Sequence, residues 1–328
     1  MLKNKVFLVS GGTGSFGRTL IEYLLATEIE GIICFSRDES KQHDLRNLVA
    51  DPRLTFVLGD IRDPITVRKA LRGVDYVFHA AALKHVPISE VNPWEFVRTN
   101  IAGSHNLLNS LQDSEVKKAI FLSTDKAVYP VNAMGMSKAL MEKLVRSTNY
   151  SGNFTSCITR YGNVIGSRGS VIPEFIRALH LGEIVKITDP NMTRFLMSLS
   201  ESVDLVMHAL GVGDDGDLFV QKSPSATVET ILGALCKILE VRNPSVQIIG
   251  PRPGEKIHET LLNSEEKTYA SVHDNYFRVP SVVKRIETLG TNSREEFDYT
   301  SNSETLLNVN QVEEIFLANS ELRPLLLR

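Results

Sequence analysis

Cysteine and tryptophan are scarce. Cys34, Cys157 and Cys236 stand far apart in apolar runs, and the 328 residues hold one tryptophan. Thiols so few and so scattered exclude a disulfide framework and read as buried groups of a reducing, cytoplasmic compartment. No cluster of His or Cys has metal-ligand spacing, so no metal is expected. No run approaches the about 20 consecutive apolar residues of a membrane span. The N-terminus passes within a few residues into "VFLVSGG", which reads as a first strand and not as a leader. The formal net charge is −3, leaving no bulk basic excess for nucleic acid or a membrane surface. Internal repeats and low-complexity segments are also missing.

What is present is ordinary for a soluble globular protein: 42% hydrophobic and 23% charged residues. Continuous apolar runs alternate with helical spacing. The runs are "KVFLVS" (5–10), "GIICFS" (31–36), "LTFVLGD" (54–60), "VDYVFHA" (74–80) and "KKAIFLS" (117–123). A sixth, "NFTSCITRYGNVIG" (153–166), reads as a strand running into a loop. Apolar strands separated by helices predict a parallel sheet covered on both faces. Beyond about residue 170 the pattern loosens into short loops and Pro-rich turns. The length suits one large α/β unit with a smaller lobe. The expected fold is therefore an α/β, Rossmann-type doubly wound parallel sheet, mainly residues 1–168. A smaller interleaved substrate-binding lobe, mainly 169–328, sends some segments back to the sheet. The polar stretch 285–306 reads as a surface arm.

The first motif with chemistry is "SGGTGSFG" (10–17). Gly11, Gly14 and Gly17 form G-x-x-G-x-x-G between strand and helix, with Thr13, Ser15 and Phe16 in the same turn. Such glycines let the backbone approach a pyrophosphate, which then sits on the helix N-terminus. At the tip of the second strand, where an acidic residue usually holds the ribose of NAD, stand Ser36 and Arg37, with Lys41 one turn on. A cationic tip favours the 2′-phosphate of NADP over NAD; Asp38 fits a helix cap. Asp60 and Ile61, after the third strand, are placed to contact adenine.

The stretch "STDKAVYPVNAMGMSK" (123–138) resembles the catalytic segment of short-chain dehydrogenases/reductases, except that Met134 stands four residues before Lys138 where a tyrosine is usual. A thioether can neither give nor take a proton. With "FSRDESKQ" (35–42), "HAAALKHVP" (79–87), "RYGNVIGSRGSVIP" (160–173), "MTRF" (192–195) and "GPRPGEKIHE" (250–259), the chain resembles the extended branch of that superfamily. More narrowly it resembles the C5-inverting UDP-N-acetylglucosamine 4,6-dehydratases of bacterial capsule, O-antigen and flagellar sugar synthesis, in a subgroup that carries Met at this position.

The resemblance implies oxidation at C4 of the sugar, removal of the C5 proton, loss of the C6 hydroxyl as water, and return of hydride to C6. It implies Asp125 as general acid toward the C6 hydroxyl and Lys126 as base at C5. Such a lysine must be neutral for part of its cycle, for which a partly dry, cation-rich pocket is expected. Lys138 would hold the nicotinamide ribose, and Met134 would lie close to the sugar. Ala80, Ala81, Ala82, Lys84 and Asn100 join the cofactor contacts. Lys84, His85, Asn163, Arg194, Arg252 and Glu255 are the expected UDP-sugar contacts, the two arginines as forks for diphosphate and ribose. For the C4 hydroxyl, Thr124 as relay, Lys126 acting twice, and Tyr129 stay open. The family also implies a homo-oligomer, often a hexamer. A UDP-N-acetylhexosamine 4-epimerase and a non-catalytic NADP-sensing protein remain as alternatives. Neither needs the Asp125–Lys126 pair.

Overall fold

The structure is a computed structural model and describes residues 2–147, 153–167, 169–287, 297–303 and 305–327. Of the polar stretch 285–306, residues 288–296 and 304 lie outside the described residues. For the rest the expected surface arm is corrected, since Tyr299–Thr300 pairs with Thr260–Leu262 and both Tyr299 and Ser301 are buried. The first six strands fall on the apolar runs: β1 Val6–Ser10, β2 Gly31–Ser36, β3 Leu54–Leu58, β4 Tyr76–His79, β5 Lys118–Leu122 and β6 Thr155–Arg160. The rest are β7 Asn163–Val164, β8 Val185–Ile187, β9 Thr193–Met197, β10 Leu218–Gln221, β11 Ser225–Thr227, β12 Val246–Ile248, β13 Thr260–Leu262, β14 Ser271–His273, β15 Tyr276–Val279 and β16 Tyr299–Thr300.

The main sheet has nine strands in the order β14-β15-β10-β6-β5-β4-β1-β2-β3. From β10 to β3 neighbours are parallel, while β15 and β14 close one edge antiparallel. The chain reverses direction of travel between β1 and β4, the crevice where doubly wound sheets bind ligands. Alternation along each strand sends side chains to two cores. Leu8, Val77 and Phe121 pack with Leu107 and Met141 on one face. Phe7, Val9, Phe78 and Ile120 pack with Leu20, Ile21 and Val206 on the other. A third core, with Phe175, Met192, Leu196, Ile231 and Phe316, belongs to the smaller lobe.

Two sequence expectations change. The sixth run is not one strand: β6 stays in the main sheet, whereas β7 turns away and pairs with β9. The loosening beyond residue 170 conceals regular helices at Val171–His180, Leu199–Val212 and Val228–Ile238. Leu199–Val212 starts on a capping box, Ser198 with Glu201, a local signal that intervening turns mask. The cysteines are free thiols; Cys34 and Cys157 are buried. Among the described residues no helix is long and apolar enough to cross a membrane, and no group of His, Cys, Asp and Glu could hold a metal ion.

Candidate active site

The C-terminal ends of β1 to β6 carry nearly every residue singled out above. Gly11 follows β1 at φ +71°, and a Cβ there would stand 2.8 Å from the Ala81 nitrogen. Only glycine lets this turn lie against Ala80 and Ala81. Gly14 is the N-cap of the helix Ser15–Leu25, which no side chain caps and whose first turn carries no acid. That helix end, with Gly17 closing the turn behind it, fits a dinucleotide pyrophosphate.

Thr13 and Ser36 share a hydrogen bond of 3.0 Å at the β2 tip. Arg37 is half exposed and 3.8 Å from Asp60. Asp38 caps the next helix, as its position suggested, and its carboxylate also holds Lys41 at 2.5 Å. Arg37 is therefore the cation at the β2 tip with the weaker internal tie. Asp60 is gripped by Arg62, whose guanidinium pulls its pKa down. The Ile61 side chain is buried in the core. Asn100 spends its amide on both Leu83 backbone groups and on Ser137, so it clamps the loop after β4. Ala82, Lys84 and His85 lie exposed along that loop.

Asp125–Ala127 forms a 3-10 turn after β5 with Thr124 as its N-cap, and Asp125 donates its N–H to the Tyr161 carbonyl. The helix Ala133–Val145 packs its backbone onto this turn at Gly135, where any Cβ would collide with the Lys126 carbonyl. Asp125 is fully buried. Its Oδ1 accepts from the Thr124 hydroxyl at 2.7 Å and from Lys126 Nζ at 3.0 Å. Lys126 Nζ also lies 3.3 Å from Glu259, itself buried. Burial opposes the charge on Lys126, but the Asp125 and Glu259 carboxylates outweigh it and raise its pKa despite nearby Arg194. The expectation of a cation-rich pocket is thus corrected. The sequence could not reveal Glu259 because it lies 133 positions from Lys126 and only the fold joins them. Asp125 Oδ2 and Glu259 Oε2 are buried without a partner.

Met134 is buried, as a residue packed at the base of the site would be. Tyr129 does not replace it. Its hydroxyl reaches toward Asp298 at 3.4 Å, its backbone is left-handed at φ +46°, and its ring is exposed. Lys138 is buried and donates to the Leu122 carbonyl at 2.6 Å. Burial pushes its pKa down to about 8, with Glu142 one turn on offsetting part of the loss.

A depressed lysine pKa means the unfolded chain binds more protons between pH 8 and about 10.4, so stability from this group rises with pH through that window. Lys138→Met should therefore be more stable than wild type by about 2–3 kcal/mol at pH 7, a difference that closes by about pH 10.4. Urea unfolding across that range measures it; a difference independent of pH would contradict the buried charge.

On the lobe side, Asn163 Oδ1 is buried without a partner, as a ligand-facing amide would be. Arg194 donates to the Thr193 and Ile257 carbonyls at 2.8 and 3.1 Å. Arg252 and Glu255 stand 3.9 Å apart, a loose pair at an open loop. Behind the catalytic helix, Arg160 is enclosed by Glu142 and Glu266 at 2.5 and 2.7 Å.

A parallel sheet with a glycine turn at its switch point and Asp125, Lys126 and Lys138 beside it is the arrangement of a short-chain dehydrogenase/reductase type of enzyme. Residues 7–281 match the family described as polysaccharide biosynthesis protein, and the chain belongs to that family. It is similar to a UDP-glucose 4-epimerase of Rickettsia conorii, 45% identical over 97% of this chain and 96% of the relative. Among solved structures it is similar to Pen from Bacillus thuringiensis, with TM-score 0.89 and 31% identity over 96% of this chain and 99% of that one. It is also similar to DesIV, a dTDP-glucose 4,6-dehydratase from Streptomyces venezuelae solved with NAD bound, with TM-score 0.70 and 26% identity over 77% and 86% of the two chains. The protein is thus an enzyme of the nucleotide-sugar dehydratase and epimerase group.

Proposed function

We propose that the protein is an NADP-dependent, C5-inverting 4,6-dehydratase of UDP-N-acetylglucosamine. The observation that carries this reading is the hydrogen-bonded Thr124–Asp125–Lys126 cluster at the end of β5, with Asp125 fully buried. A 4-epimerase needs only oxidation at C4 and return of hydride there. It has no use for an acid and a base aimed at C5 and C6. A bound dinucleotide would supply the reversible two-electron chemistry, held by the turn Gly11–Gly17, Ser36 and Arg37, with Lys138 at the nicotinamide ribose. Residues 1–168 would mainly hold it, and residues 169–328 mainly the UDP-sugar, through Arg194 and Arg252, with Asn163 added from the first segment.

In this reading Asp125, dry and hydrogen-bonded by Thr124, gives its proton to the leaving C6 hydroxyl. Lys126 takes the C5 proton. It is charged at rest because two carboxylates face it, so its proton must first pass to Asp125, 3.0 Å away, which leaves the lysine neutral and arms Asp125 as the acid. The 4-epimerase remains the second reading because the Rickettsia relative bears that name. Incubation with UDP-N-acetylglucosamine in heavy water, followed by proton NMR and mass spectrometry, separates the two. Loss of one water with deuterium at C5 is expected. An unchanged mass with inversion at C4 would establish the epimerase, and no conversion would favour the non-catalytic alternative.

Arg37→Glu should weaken NADP relative to NAD by at least about tenfold, since a carboxylate at the β2 tip repels a 2′-phosphate and suits a ribose hydroxyl. Fluorescence titration with both cofactors reads the ratio, and an unaltered ratio removes Arg37 from cofactor selection. Met134→Leu keeps apolar volume in a buried place and should leave turnover within about tenfold of wild type. A loss near that of removing a general base, about 10²–10⁴-fold, would give the thioether a role beyond packing.

A further inference from the structure

With methionine at 134, the group that takes the C4 hydroxyl proton is missing, and the surrounding side chains narrow the choice. The Tyr129 hydroxyl faces Asp298. Burial pushes the Tyr161 phenol well above its ordinary pKa, which makes its phenolate inaccessible. Lys126 is held charged between two carboxylates, and the Lys138 ammonium donates to a carbonyl. Thr124 has no charge of its own and already gives its hydroxyl proton to Asp125. Asp125 is committed to the C6 hydroxyl.

One buried base is left over. Glu259 is 3% exposed, and its Oε2 is buried without a hydrogen-bond partner. Its position is set on both sides: its N–H donates to Ser301 Oγ at 2.9 Å, and its carbonyl accepts the Ser301 N–H at 2.8 Å. Ser301 is held in turn by Thr193, their hydroxyls 2.6 Å apart. With the backbone fixed this firmly, one carboxylate oxygen beside Lys126 and the other without a hydrogen-bond partner, Glu259 has the free acceptor that a hydroxyl donor needs.

We propose that Glu259 is the general base for the C4 hydroxyl and supplies what the missing tyrosine would. The step balances as follows: the C4 hydroxyl O–H bond breaks and its proton goes to Glu259 Oε2, C4–H leaves as hydride to an oxidised nicotinamide dinucleotide, and the C4 carbonyl forms. Lys126 stays beside Oε1 and stabilises the carboxylate before the transfer.

The inference rests on the proposed dehydratase function, because assigning Asp125, whose Oδ2 is also buried without a partner, to the C6 hydroxyl is what leaves Glu259 over. The test is Glu259→Gln, with Glu259→Asp beside it, in the cofactor-loaded protein. Calorimetry should show UDP-N-acetylglucosamine bound within about threefold of wild type, since amide and carboxylate have the same shape and that factor is well under 1.4 kcal/mol. Single-turnover absorbance of reduced nicotinamide should appear about 10²–10⁴-fold more slowly with Gln and at an intermediate rate with Asp. A second readout needs no turnover. Lys126 is faced by Asp125, Glu259, Arg194 and Lys256, so removing one carboxylate lowers its pKa and should speed its labelling by an amine reagent.

Wild-type reduction in the Gln variant overturns the role. So does reduced cofactor that forms at normal speed and then accumulates, because that places Glu259 at a later step. Unchanged labelling of Lys126 would remove the contact on which the argument stands. A wild-type protein that reduces no cofactor with either UDP-N-acetylglucosamine or UDP-glucose would sink the parent reading and this role together. A competent wild type with a competent Gln variant sinks the role alone.

Discussion

Lys126→Ala should lower the rate of water loss from UDP-N-acetylglucosamine by about 10²–10⁴-fold, the usual cost of removing a general base. Binding of cofactor and UDP-sugar should survive, since the glycine turn lies elsewhere and nearby Arg194 keeps its own backbone partners at Thr193 and Ile257. The argument starts from the two carboxylates around Nζ, at 3.0 and 3.3 Å. A lysine on the surface gains little from such partners, but here both acids are buried, so the ammonium is the only positive charge in direct contact with them among the described residues. Removing it does more than delete a base: it leaves Asp125 and Glu259 facing each other without a counter-charge, which destabilises the turn. Heat or urea unfolding should therefore register a loss alongside the kinetics. Deuterium exchange at C5 of the bound sugar separates the two effects. If C5 still exchanges at the wild-type rate in a folded Lys126→Ala protein, another group is the base.

The second large effect lies behind the site. Arg160→Met should destabilise the protein by about 3–5 kcal/mol, because it strands two buried carboxylates. Arg160 is fully enclosed, donating to both oxygens of Glu142, both of Glu266 and the Leu261 carbonyl. The two acids hold the guanidinium charged, raising its pKa against the burial that opposes it. Glu142 lies on the helix of Lys138 and also accepts from Ser123 at 2.5 Å, while Glu266 closes a capping box on Asn263. The network therefore joins β5, the catalytic helix, β6 and the segment after β13. Replacing Arg160, Glu142 and Glu266 together by apolar residues of similar volume should recover much of the loss, since a buried ion network is often no more stable than good packing. Urea midpoints of the single and triple variants decide this. A single variant within about 1 kcal/mol of wild type would mean that the acids find water or other donors.

Much of the site was legible in the chain because it depends on short-range order. The turn Gly11–Gly17, the cap Asp38 and the strand-end triplet Thr124–Asp125–Lys126 are each set within a few residues. Alternating apolar runs place all of them at one edge of a parallel sheet. Met134 in place of tyrosine could likewise be read directly, and so could the lack of an acid at the β2 tip.

The charge state of the site was not legible. An acid and a lysine adjacent in sequence say nothing of a third charge brought from another strand. Glu259 reaches Lys126 only because β13 pairs with β16 and Ser301 locks its backbone, contacts between segments some 40 residues apart. Arg160 met Glu142 and Glu266 through packing across 18 and 106 positions. Local sequence thus determined the fold class, the glycine turn after β1 and the placing of Asp125 and Lys126 at the end of β5, because backbone geometry and hydrophobic period act over a few residues. Tertiary structure alone decided that Lys126 rests charged, that Lys138 is driven toward neutrality and that a spare carboxylate stands beside the site, because electrostatic energy depends on distance and burial in space rather than on order along the chain.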